Sequence, residues 1–131
     1  MDTLLSKTEM KRNDSLYVVN FWATWCKPCI EEMPYFIEAR EKFKNEKVKI
    51  ILVSLDFVSD KTRVDKFVEK KMITADVYLL NETNPDKWIN RIDSTWSGSI
   101  PATVFYKSGN KVLFREGDFQ SGELDSIIKS K

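Results

Sequence analysis

Val18-Val19-Asn20-Phe21-Trp22-Ala23-Thr24-Trp25-Cys26-Lys27-Pro28-Cys29 is the stretch whose reading decides the fold. An apolar, β-prone segment runs into two cysteines separated by two residues, and a helix-like pattern starts directly behind them. A buried strand here would carry the chain to the end of a sheet. The turn after it would place Cys26 at or just before a helix N-terminus. Unpaired N–H groups and the helix dipole stabilise negative charge at that point. A thiolate carries such a charge and a thiol does not, so the thiolate of Cys26 is expected to be favoured, with Lys27 pulling the same way. Pro28 suits a first helical turn, where the N–H it lacks would have no intrahelical partner. Cys29 follows within reach of a sulfur held on Cys26, so the pair can close to a disulfide and reopen with little backbone movement.

Working outward, composition removes several classes of function. A chain of 131 residues fits one domain, 1–131, and a hydrophobic share of 42% suffices for a real core. A net charge of +1 gives no reason to expect nucleic acid or an anionic membrane surface as partner. No apolar run approaches the length of a membrane span. Two cysteines cannot build the disulfide framework of a small secreted scaffold. With no histidine in the chain they cannot complete a structural zinc site, so no metal is expected. Hydrolases of the Ser-His and Cys-His types are excluded for the same reason. Met1-Asp2-Thr3-Leu4-Leu5 lacks the basic start and long apolar core of a signal peptide. Two readings follow: a cytoplasmic protein, or an exported one whose leader is absent from this sequence.

Hydrophobic periodicity predicts the remaining elements. A short helical segment is expected near Leu4 and Leu5, then a turn at Asn13-Asp14-Ser15 and a strand over 16–22. A long helix should run from Cys26 to about Lys44, with Ile30, Met33, Ile37 and Phe43 toward the core and a kink at Pro34. Val48–Leu55 reads as a strand, 56–60 as a loop, and 61–72 as a helix. In that helix Asp60 serves as N-cap and Val64, Phe67, Val68 and Met72 face inward. A short strand over 77–80 precedes a helix from Asn84-Pro85-Asp86 to about Ile92. Strands at 103–106 and 112–115 flank Lys107-Ser108-Gly109-Asn110-Lys111 as a hairpin. A last helix opens at Ser121 or Gly122, with Leu124, Ile127 and Ile128 on one face. The order β-α-β-α-β-α-β-β-α describes an α/β protein whose parallel strands need right-handed crossovers. Trp88, Trp96 and Phe119 could rim a binding surface, but packing on the sheet is the better reading of all three.

Phe21 to Cys29 resembles the active-site segment of the thioredoxin superfamily. Thr24 before Trp25, and Glu32-Met33-Pro34 after the second cysteine, are similar to its TlpA/ResA-like branch. That resemblance implies a thioredoxin fold: a mixed central sheet flanked by helices, with a TlpA-like central helix–strand insertion accounting for the length of 56–95. It implies that Ile100-Pro101 is a cis peptide, leaving the Ile100 backbone free to pair with an extended substrate. Trp25, Lys27, Pro28, Ile100 and Pro101 then form the substrate-binding surface. The chain departs from thioredoxins themselves at Asn20, where they carry a buried acid that takes a proton from the second cysteine. In the ResA-like branch a glutamate three residues after that cysteine is a proposed substitute, and Glu32 has that spacing. Glu32 is otherwise a solvated side chain beside Glu31.

The implied activity is thiol–disulfide exchange. Cys26 attacks, Cys29 resolves, and Glu32 handles the proton. Lys27-Pro28 is closer to the reducing members than to the oxidising ones, which tend to carry a histidine between the cysteines. No cofactor is expected, because the Cys26–Cys29 pair is the redox group. Protein disulfides are the expected substrates, a flavoprotein reductase or membrane thiol carrier the electron donor, and a monomer the expected state. The branch is usually exported, which favours an extracytoplasmic site over a cytoplasmic one. Two alternatives remain: a thiol peroxidase, which would consume peroxide rapidly, and a redox-inert thioredoxin-fold binding module, which would leave protein disulfides intact. A peroxidase of the peroxiredoxin type would need Thr and Cys one residue further apart than Thr24 and Cys26 are.

Overall fold

The computed structural model describes residues 14–80 and 89–131. The segment around Leu4 and Leu5, Asn13, the helix start at Asn84-Pro85-Asp86 and Trp88 lie outside the described residues. The described elements run β1 (Leu16–Trp22), α1 (Lys27–Lys42), β2 (Val48–Ser54), a 3-10 turn (Val58–Asp60), α2 (Lys61–Lys70), β3 (Asp76–Leu79), α3 (Ile89–Ile92), β4 (Ala102–Lys107), β5 (Asn110–Glu116) and α4 (Glu123–Ser130).

The strands form a five-stranded sheet in the order β3-β2-β1-β4-β5. β1 pairs in parallel with β2, and β2 with β3, while β4 runs antiparallel to β1 and β5 antiparallel to β4. β1 is therefore central and buried along its whole length. Its side chains alternate between two cores, as strand geometry requires. Leu16, Val18 and Trp22 join Met33, Phe36 and Ala39 of α1, Val64 of α2, and Leu124 and Ile128 of α4. Tyr17, Val19 and Phe21 join Ile51, Val53, Ile92, Trp96 and Val104 on the other face. Asn20 is the polar residue that this alternation turns toward α1.

Three local differences from the sequence expectation have physical causes. The buried face of α1 is the stripe Cys29, Glu32, Met33, Phe36 and Ala39, with Phe43 just beyond; Ile30 and Ile37 are only half-buried at its shoulder. α2 stops at Lys70, and Met72 sits past its end at φ 53° with its side chain exposed, so Met72 is not a core residue. Asp60 occupies the N-cap position of α2 without making a side-chain cap, and lies 3.8 Å from Arg63 instead.

β4 and β5 reach further into their loop than the composition suggests. Lys107 pairs with Asn110, leaving Ser108 and Gly109 as a two-residue turn, with φ 54° and 81°. Positive φ at both positions is the primed turn that matches strand twist, and Gly109 takes it without steric cost. A register shift between Phe105 and Tyr106 leaves Val112 bulged and exposed on β5, an edge strand.

Candidate active site

The C-terminal end of β1 delivers the cysteines. Cys26 N donates to Ala23 O at 3.2 Å, closing a turn, and Ile30 N donates to Cys26 O at 3.1 Å, the first bond of α1. Cys26 is thus the N-cap, in extended backbone, with Lys27 and Pro28 exposed in the first turn and no acidic side chain there to compete. Cys26 and Cys29 are joined in a disulfide with Cα atoms 5.3 Å apart. Both are buried, but unequally: Cys26 keeps 6% of its surface and Cys29 none. An approaching sulfur can meet only the first of them. Trp25, beside it, is 61% exposed, whereas Trp22 is fully buried against Phe67.

The loop before β4 closes the other side. Ile100–Pro101 is a cis peptide, and the Ile100 carbonyl oxygen lies 3.7 Å from Cys26 Sγ. Trp96, buried between Phe21 and Phe114, donates its indole N–H to Ser99 O at 2.8 Å and so ties this loop to the core. Trp96 and Phe119 are packing residues. The structure brings Trp25, Cys26, Lys27, Pro28, Ile100 and Pro101 to one end of the sheet.

Glu32 is not solvated: it is 2% exposed, on the α1 face that carries Cys29 one turn earlier. Its Oε1 accepts from Phe119 N at 3.0 Å and its Oε2 from Asn20 Nδ2 at 3.1 Å. Asn20, itself buried, also donates to Thr103 Oγ1 at 3.1 Å. Burial pushes the Glu32 carboxyl up to about 7, outweighing the two hydrogen bonds that favour its charge. The folded chain therefore binds this proton more tightly than the unfolded one. Between about pH 4.5 and 7 that binding stabilises the fold at lower pH, and the contribution is lost as pH rises. Glu32→Gln removes the titration. Relative to the parent, the variant should gain about 3 kcal/mol of stability on going from pH 4.5 to pH 8. Urea unfolding at the two pH values checks this; parallel stability profiles would reject the buried-acid assignment.

One residue of the site was missed by sequence reasoning. Asp56, read as loop, is 1% exposed beside the cysteine turn. Its carboxylate accepts from Thr24 N at 3.0 Å, Thr24 Oγ1 at 2.6 Å and Ser54 Oγ at 2.6 Å. The local sequence carries no mark of this, because Thr24 and Asp56 meet only through the pairing of β1 with β2.

Among the described residues no cluster of metal-ligating side chains occurs, and no helix is long and apolar enough to cross a membrane. The model of the AhpC/TSA family matches residues 3–114. A thiol-disulfide oxidoreductase ResA of Bacillus thuringiensis is 53% identical over 112 residues, covering 85% of this chain and 60% of its own. Its namesake from Oceanobacillus iheyensis is 35% identical over 95 residues, covering 72% of this chain and 45% of its own. The chain spans about half the length of the curated relatives it matches. Among solved structures, a thiol:disulfide interchange protein of the thioredoxin family from Chlorobium tepidum superposes with a TM-score of 0.76 at 20% identity, covering 93% of this chain and 83% of its own. That likeness establishes a thioredoxin-type fold.

Proposed function

The chain belongs to the AhpC/TSA family of the thioredoxin superfamily, and from that premise we propose that it is a thiol–disulfide oxidoreductase that reduces protein disulfides. The carrying observation is the disulfide at the head of α1, with Cys26 as N-cap and fractionally open and Cys29 closed. The names of its ResA relatives support the same activity.

In the reduced protein the Cys26 thiolate attacks one sulfur of a substrate disulfide. A mixed disulfide forms and the other substrate sulfur leaves as a thiolate. Cys29 then gives its proton to Glu32, whose raised proton affinity suits exchange near neutrality. The Cys29 thiolate attacks Cys26 Sγ, forms the internal disulfide and expels the second substrate thiolate. Two electrons pass to the substrate. A donor dithiol, held by a reductase or a membrane thiol carrier, must return them. Trp25, Lys27, Pro28, Ile100 and Pro101 are the surface the substrate chain would cross. We place this work outside the cytoplasm, where the branch it resembles acts and where disulfides persist.

Redox titration against glutathione tests the direction. The expected potential lies near that of thioredoxin, far from the strongly oxidising end of the range. A strongly oxidising value would reverse the direction. Fast peroxide consumption with no reduction of insulin-type disulfides would replace the reading with a thiol peroxidase.

A further inference from the structure

Asp56 is a buried carboxylate that the exchange chemistry does not use. It lies two residues past the end of β2 and meets, through Thr24, the turn that presents Cys26, which that chemistry does use. All three side-chain and backbone groups that reach its oxygens are donors: Thr24 N–H, Thr24 O–H and Ser54 O–H. Ser54 Oγ in turn accepts from Asp56 N at 3.0 Å, which leaves its hydroxyl hydrogen for the carboxylate. This is the hydrogen-bond pattern of an ionised group. No lysine or arginine among the described residues pairs with it. A buried charge without a counter-ion is screened far less than a surface one.

We propose that Asp56 is a positioning residue for Cys26 that also sets its thiolate: it clamps the turn that presents the sulfur through Thr24 and holds there a negative charge without a counter-ion, which lowers the thiolate fraction and makes the dithiol more reducing. The inference rests on Cys26 being the nucleophile. The other charges near the disulfide divide by sign. Lys27 and the α1 N-terminus favour the thiolate, while Glu31, exposed on the same helix, and buried Glu32 oppose it. At the head of α2, Asp60 lies beside Arg63, and Lys61 is paired with Asp65. The loop before β4 brings the Ile100 carbonyl and Pro101 without a charge.

Asp56→Asn isolates the charge. Its amide oxygen can keep the bonds from Thr24 N–H and Ser54 O–H, and its NH₂ can donate to a Thr24 hydroxyl turned about its bond. Thr24→Val does the reverse, removing one hydrogen bond and leaving the charge. The measurement is the pH dependence of iodoacetamide alkylation at Cys26 in the reduced full chain, mapped by mass spectrometry. Asp56→Asn should lower the midpoint by about one pH unit and speed alkylation at neutral pH up to about ten-fold. Thr24→Val should not lower it. A midpoint unchanged or raised in Asp56→Asn overturns the proposal, and so does an equal fall in both variants. If Cys26→Ala retains the parent's rate of protein-disulfide reduction, the nucleophile reading fails instead; the shift on Asp56→Asn still decides the role of the charge.

Discussion

Cys26→Ala is expected to lower the rate of protein-disulfide reduction by about a thousand-fold or more, to the level of a chain with no nucleophile. Cys29→Ala should fail differently. It keeps the attacking sulfur at the α1 N-cap, so the first exchange proceeds, but nothing resolves the product. A covalent adduct between Cys29→Ala and a disulfide-bearing protein should therefore accumulate and disappear on adding dithiothreitol. The asymmetry follows from burial: Cys26 retains 6% of its surface and Cys29 retains none. A resolving cysteine that cannot be approached from outside has only Cys26 as its partner. Adducts on residue 29 in a Cys26→Ala variant, seen by peptide mapping, would show the two roles to be reversed.

The second large effect is on stability. Phe36→Ala should cost about 3–5 kcal/mol, a large part of the roughly 5–15 kcal/mol typical of a folded domain. Phe36 is fully buried where α1 meets the sheet, with its ring edge-on to Phe119 at 6.0 Å. Phe119 stands edge-on to Phe105 of β4 at 6.3 Å. No small shift of α1 can refill a gap in that column, because Phe119 N is also bonded to Glu32 on the same helix. The melting midpoint should fall by roughly 10–20 °C. Ile37→Ala, on the half-buried shoulder, should cost less than half as much. Equal losses in the two variants would mean that the inward stripe of α1 is misassigned.

Much of this arrangement was legible in the chain. The run from Leu16 to Trp22, apolar except at Asn20, marks a strand covered on both faces, and that strand proved central. The cysteine spacing and Pro28 mark the head of the following helix. The face of that helix was less legible because one of its buried members is charged. A count of apolar residues selects Ile30 and Ile37, whereas the buried stripe runs through Glu32 and Phe36. Glu32 could be singled out by its distance from Cys29, but its burial depends on Asn20 and Phe119, far away in sequence. Asp56 lay beyond reach for the same reason, since its partner Thr24 is 32 residues away. Local periodicity records which way a side chain leans along its own element; it holds no record of what another element brings to meet it.

The outer rim of β5 bears on what contact with unfolded polypeptides would do to such a molecule. Chains with scrambled or missing crosslinks expose loose backbone that readily knits onto any unprotected strand. Here the irregularity at Val112 interrupts the ladder, and Lys111, Arg115 and Glu116 line the same border with charge. Such a border gives a stray segment no long run of evenly spaced donors and acceptors to copy. If protein disulfides are the substrates, as proposed, their chains would then meet the sulfur end of the sheet, where exchange is reversible, in preference to the β5 flank, where pairing would grow into an aggregate.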